Sequence, residues 1–190
     1  MSVLHNPLDL PGDLPAPKDD GAAKHLVGMR VPSLSLLATN GSKVDLSTLT
    51  GRTVVYAYPR TGKPGQALPT GWDSIPGARG CTPQSCSFRD HFRELQMAGA
   101  DHLFGLSTQD NVYQREAAER LHLPFLILSD EDLQLTRTLR LPTFKVDGME
   151  LLKRLTLVID DGRIAHVFYP VFPPDKSASE TLAWLNVNKR

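Results

Sequence analysis

Residues 53–95, TVVYAYPRTGKPGQALPTGWDSIPGARGCTPQSCSFRDHFREL, carry a strand, a long connection and a helix in that order. TVVYAY (53–58) is an unbroken run of β-branched, aromatic and small apolar residues, which marks a strand buried on both faces. Beyond Pro83, Phe88, Phe92 and Leu95 recur at i, i+4 and i+7, a helical face that Gly99 is placed to stop. Pro83 suits the first turn, where backbone N–H groups have no helical partner anyway. Between strand and helix, Pro59, Pro64, Pro69 and Pro76 alternate with five glycines and exclude regular structure. A connection this long exceeds the ~12–15 residues beyond which structureless loops become uncommon.

The pattern repeats outward. HLFGLS (102–107) and PFLILS (124–129) are further buried strands. Helical stretches at 110–121, 131–140 and 178–187 alternate with them. Leu34–Ala38, the turn Asn40-Gly41 and Val44–Leu46 form an opening hairpin. RLTLVID (154–160), Asp161-Gly162 and RIAHVF (163–168) form a closing one. The sum is one α/β domain, a central mixed sheet with helices on both faces. Pro7, Pro11, Pro15 and Pro17 set residues 1–24 apart as an extended arm, leaving a domain of residues 25–190 with an inserted loop at 60–79.

Composition narrows the function. The chain has 190 residues, 41% of them hydrophobic, enough to bury a substantial core. Lys+Arg and Asp+Glu both number 21, and a net charge of zero speaks against a nucleic-acid or anionic-membrane surface. No run approaches the roughly 18 apolar residues of a membrane span, and the N-terminus has neither a basic start nor an apolar core of signal length. A cytoplasmic location is expected.

Only two cysteines occur, Cys81 and Cys86. That is no disulfide framework, and in a reducing compartment their closeness points to redox chemistry. Cys81 stands where the helix begins, and the positive helix end with its unpaired N–H groups favours a thiolate there. Arg79 and Arg89 are near enough in sequence to add positive charge. Five residues on a helix turn by about 140° and rise by about 7.5 Å, placing the two Cα atoms roughly 8.5 Å apart. A disulfide spans at most about 7 Å between Cα atoms. The two cysteines therefore cannot bond within an intact helix, and a cycle between two conformations is expected. Cys81 shares the core side with Phe88, whereas Cys86 shares another face with Asp90 and Arg93.

Other motifs are weaker. Gly62-Lys63 lacks the earlier glycine and following hydroxyl of a phosphate loop, since Ala57 and Pro64 stand there. Cys81, Cys86 and His91 fall short of four zinc ligands, so no metal is expected. The spacing also differs from the Cys-x-x-Cys of a disulfide reductase.

The cysteine segment resembles the active site of peroxiredoxins, most closely the Q-type or bacterioferritin-comigratory group. Tyr58-Pro59, Gly80-Cys81-Thr82 and Cys86-Ser87-Phe88-Arg89-Asp90 match that family's motifs in order. The likeness extends over roughly residues 26–185, through FLILSDEDLQLTRTL (125–139) and RLTLVIDDGRIAHV (154–167), whose opening arginine is Arg154. The resemblance implies a thioredoxin-like fold and a thiol peroxidase that reduces hydrogen peroxide and organic hydroperoxides. It implies Cys81 as the peroxidatic and Cys86 as the resolving cysteine, joined in an intrachain disulfide. Arg154 would stabilise the thiolate, and Pro59 would shield it. It further implies a thioredoxin- or glutaredoxin-like reductant, no metal or organic cofactor, and a monomer. The chain departs from the family at Ala78, where a threonine or serine hydroxyl belongs, and at the long link between Pro59 and Cys81. Thr61, Thr70 and Thr82 are candidates to supply the hydroxyl. A redox sensor or disulfide-relay module of the same fold is the alternative reading.

Overall fold

The computed structural model describes residues 10–190. The chain forms β1 (Leu36–Ala38), β2 (Lys43–Val44) and β3 (Arg52–Ala57), then α1 (Cys81–Asp90) and α2 (Phe92–Met97). β4 (His102–Ser107), α3 (Asn111–Arg120), β5 (Leu126–Ser129) and α4 (Gln134–Leu139) follow. β6 (Thr143–Val146), β7 (Met149–Leu152), β8 (Leu155–Asp160), β9 (Arg163–Phe168) and α5 (Ser177–Val187) complete it. Seven strands make one mixed sheet in the order β2-β1-β5-β4-β3-β8-β9. β3 lies inside it, parallel to β4 and antiparallel to β8, and all six of its residues are buried.

Alternation along β3 divides two cores. Val55 and Ala57 pack on one face with Leu106, Leu128 and Leu157, covered by Leu135 and Leu139 of α4. Val54 and Tyr56 face the other way, with Tyr58 just beyond the strand, against Phe88 and Leu95 of α1 and α2 and Leu185 of α5. The Tyr56 ring stacks on Phe88 at 4.3 Å and its hydroxyl donates to Ser85, so α1 is fixed to the sheet at the strand's end. Among the described residues, no helix is long and apolar enough to cross a membrane.

Several boundaries differ from the sequence reading. The helix expected at 131–140 starts only at Gln134, because the Asp130 carboxylate takes the N–H groups of Leu135 and Thr136 and draws 131–133 into a turn. The single helix expected through Leu95 is interrupted at His91, whose ring bonds the Ser87 carbonyl. The β6–β7 hairpin was not anticipated. Its turn is Asp147-Gly148, both with positive φ (46° and 75°), as a two-residue hairpin of this twist requires.

That hairpin gives the long connection its partner. Trp72, Ala78 and Leu151 form a third buried cluster, with Leu68, Ile75, Phe144 and Met149 packed around it. The inserted residues are thus folded around their own small core. The described part of the arm, residues 10–24, contains no helix or strand. Asp20 pins it by pairing with Lys153 Nζ (2.6 Å) and accepting from the Tyr169 hydroxyl (2.8 Å). Residues 1–9, with Pro7, lie outside the described residues.

Candidate active site

The end of β3 delivers Tyr58 and Pro59, both buried, to the N-terminus of α1. The next residue, Arg60, donates its backbone N–H to Cys81 Sγ at 3.4 Å. Cys81 is the first residue of α1 and only 3% exposed. Gly80 caps the helix at φ 103°, and a Cβ there would run into the Pro174 ring and Leu10. The sharp entry to the helix therefore needs glycine.

Arg154, just before β8, crosses to the same thiol. Its Nη2 donates to Cys81 Sγ at 3.3 Å and to the carbonyls of Gly77, Ala78 and Arg79 at 3.2, 3.2 and 3.1 Å. Its Nη1 donates to Gln84 Oε1. Gln84 lies one turn beyond Cys81 in α1 and passes its amide hydrogen to Ser177 Oγ (3.2 Å), which also bonds Thr156. A cation that is 3% exposed is held by carbonyl dipoles on one edge and by an amide oxygen on the other. The thiol thus meets one full positive charge and one backbone donor, both fixed before any reaction.

Arg79 and Arg89, the cations nearest in sequence, are engaged elsewhere. The Arg79 guanidinium pairs with Asp73 at 2.7 Å, and only its carbonyl meets Arg154. Arg89 bonds Asp90 and the Leu121 carbonyl, and lies by Cys86 rather than Cys81. The Thr61 hydroxyl donates to Gln109 at 3.3 Å, and Thr70 is exposed beside Asp147. Thr82 alone of the three candidates borders the opening above Cys81, which Arg60, Leu68 and Trp72 also enclose. This opening measures about 10 Å³, close to the space for a single water.

Cys86 occupies a different setting on the same helix. It is half-buried, and burial pushes its thiol pKa up, with Arg89 opposing that rise. Both cysteines are free, as the helix geometry requires. Arg60 and Gln84 were missed by the sequence reading. Nothing local marks Arg60, whose part is played by its backbone, and only Gln84's position three residues past Cys81 hinted at a shared helix face.

A buried mixed sheet that presents a thiol at a helix start defines a thiol-redox protein, and comparison specifies the kind. A family model described as Redoxin matches residues 26–183. Peroxiredoxin Bcp of Escherichia coli (strain K12) is 34% identical over 142 residues, covering 72% of this chain and 81% of that protein. Chloroplastic peroxiredoxin Q of Gentiana triflora is 31% identical over 182 residues, 92% of this chain and 76% of that one. Chloroplastic peroxiredoxin Q of Oryza sativa subsp. japonica is 32% identical over 157 residues; the chain spans 64% of its length. The crystal structure of peroxidoxin BcpB from Mycobacterium tuberculosis superposes with a TM-score of 0.67 at 26% identity, over 86% of this chain and 98% of that one. The chain belongs to the Redoxin family, in its peroxiredoxin Q and Bcp branch.

Proposed function

We propose that the protein is a thiol peroxidase in which Cys81 is oxidised and Cys86 resolves the product. The observation that carries this reading is the convergence of Arg154 Nη2 and the Arg60 N–H on one thiol at a helix start. The Cys81 thiolate attacks one oxygen of a hydroperoxide, the O–O bond breaks, and an S–OH bond forms. The departing oxygen leaves as water or an alcohol after taking a proton. Sulfur loses two electrons and the peroxide gains them. Arg154 supports both the thiolate and the charge growing on the departing oxygen, and Pro59 keeps water from the sulfur's flank. The small opening admits the –OOH end of hydrogen peroxide or of an organic hydroperoxide.

The Cys86 thiolate then attacks the sulfenic sulfur, an S–S bond forms, and hydroxide leaves as water. This step needs α1 to unwind, since roughly 8.5 Å separates the two Cα atoms in an intact helix. A dithiol reductant of thioredoxin or glutaredoxin type restores the pair by exchange. We place this cycle in the cytoplasm, in a monomer. Ala78 favours the second reading, a redox sensor or disulfide-relay module: it removes the family hydroxyl that bonds the thiolate and the peroxide, which weakens peroxidase turnover.

Stopped-flow oxidation by hydrogen peroxide and by an organic hydroperoxide, followed by mass spectrometry, tests this directly. Wild-type protein is expected to end as the Cys81–Cys86 disulfide. Cys81→Ser loses all reaction, and Cys86→Ser stops at sulfenic acid and over-oxidises. Oxidation that survives Cys81→Ser and fails in Cys86→Ser reverses the roles. A single oxidation without turnover, given a dithiol reductant, selects the sensor.

A further inference from the structure

The described part of the arm crosses the start of α1. The chain joins the main core at Ala23 and Leu26, both buried there. Just before them, Asp20 fastens the arm beside the site, through Lys153 Nζ at 2.6 Å and the Tyr169 hydroxyl at 2.8 Å. Towards the N-terminus the arm lies over residues 77–80. The Pro17 ring rests on Gly77, where an added Cβ would come within 3.3 Å of its Cγ. Leu10 rests on Gly80 in the same way, at 3.0 Å from such a Cβ. Pro17 and Lys18 also share the wall of one cavity with Ile75, Pro76 and Gly77, so the arm borders the inserted loop as well as the helix start.

These covered residues are the ones on which Cys81 depends. Gly80 caps α1, and the Gly77 carbonyl is one of three that hold Arg154 Nη2. Unwinding α1 from its first turn moves Gly80 off Leu10 and lifts the segment before it from Pro17. The dithiol form, with α1 intact, keeps the arm's contacts, and a disulfide form with α1 unwound gives them up. Pro11, Pro15 and Pro17 also restrict the undocked arm, so docking it costs less conformational entropy than docking an ordinary chain.

We propose that residues 10–20 are a strap that holds the start of α1 folded, with Leu10, Pro17 and Asp20 as positioning residues for the step that joins the two cysteines. The strap favours the dithiol over the disulfide, and its release accompanies each closure of the Cys81–Cys86 bond. Its contacts are a small apolar patch and a partly exposed ion pair, so the bias is modest, about threefold to tenfold. The inference rests on the intrachain disulfide of the proposed cycle but not on peroxide as the oxidant.

Equilibrating the full chain in a dithiothreitol redox buffer reads this bias without any peroxide. Leu10→Ala combined with Asp20→Ala should shift the pair towards the disulfide by about threefold to tenfold, a fall in reduction potential of up to about 30 mV. In the dithiol form the amide of Gln84, which closes the first turn of α1 on the Gly80 carbonyl, should exchange faster by a similar factor while β3 and β4 stay protected. Leu10→Met alone, which keeps the apolar contact, should match wild type in both measurements. An unchanged potential overturns the proposal, because the arm would then support both forms equally. Unchanged exchange at Gln84, or a rise shared equally by β3, overturns it too. Should the double variant fail to fold, Asp20→Asn decides, since it removes only the charge that holds Lys153. A shift of its potential in the same direction upholds the strap, and no shift refutes it. If the potential shifts and no peroxide is consumed, the strap stands and the peroxidase reading falls; peroxide consumption with an unshifted potential gives the reverse.

Discussion

The two cysteines stand five residues apart on one helix, yet their surroundings have little in common. Cys81 is enclosed by Arg154, the Arg60 N–H, the Ala78 carbonyl and a roof that includes Trp72. Cys86 is half-buried beside Arg89 and Asp90, and burial holds on to its proton. Sequence proximity thus says little about chemical likeness. A helix turns neighbours onto different faces, and what lies opposite each face is supplied from far along the chain. Arg154 is 73 residues from Cys81 and Trp72 belongs to the inserted loop, while Arg89 is local. One thiol has been given a tertiary environment and the other mainly its own helix.

The sharpest way to break this contrast is to ask whether the thiols meet without unwinding. Amides of residues 80–90 should be protected in the dithiol form and exchange roughly a thousandfold faster or more in the disulfide form. The buried β3 and β4 should change little. Equal protection of 80–90 in the two forms would sink the idea. Next in size is Arg154→Met, which removes the cation from Cys81 and leaves Cys86 untouched. Oxidation of Cys81 by hydrogen peroxide should slow by about 10²–10³, the usual cost of losing one preorganised donor. An unchanged rate in stopped flow would reduce Arg154 to a packing role.

Trp72→Ala tests the roof. Removing the largest side chain of the third cluster should cost about 3 kcal/mol, confined to residues 60–79 and 143–152. Alkylation by iodoacetamide, followed residue by residue, should then speed up at Cys81 by about a hundredfold and hardly at Cys86. A parallel rise at both thiols would mean the small cluster is not separate from the main core.

The smallest effect is the pH dependence of resolution. Cys86 has a raised pKa, so the folded dithiol state holds its proton over a range where the unfolded chain has lost it. The folded state then binds more protons, and this group's contribution to stability falls as pH rises through that window. Its thiolate fraction grows in the same direction. Disulfide formation after a single oxidation should therefore quicken from neutral into alkaline pH, by up to about tenfold per unit. A flat profile would mean unwinding, not the Cys86 proton, limits the step.

Local pattern made much of this legible. Unbroken apolar runs marked β3, β4 and β5 because strands buried on both faces are dominated by apolar residues, and Asp161-Gly162 marked the closing hairpin. The same kind of turn at Asp147-Gly148 went unread, since its short flanking strands are mostly half-exposed and show no clear alternation. Cys81 and Cys86 on one helix followed from Pro83, the apolar period and the spacing.

What only the tertiary structure decided is the electrostatics around the sulfur. By sequence, Arg79 and Arg89 were the near cations, and both pair with their own neighbours instead. Spacing along a chain fixes which residues share a helix face, because that depends on backbone geometry alone. It does not fix which cation faces a thiol. That depends on the carbonyls of 77–79 lining up to hold Arg154 and on Arg60 turning its N–H inward after β3. Both arise from closing a sheet whose partners lie far apart along the chain, β3 (52–57) on β8 (155–160). Helix geometry could therefore be read from the residues, whereas local spacing pointed to Arg79 and Arg89 and only the family resemblance named Arg154, which the closed sheet carries to Cys81.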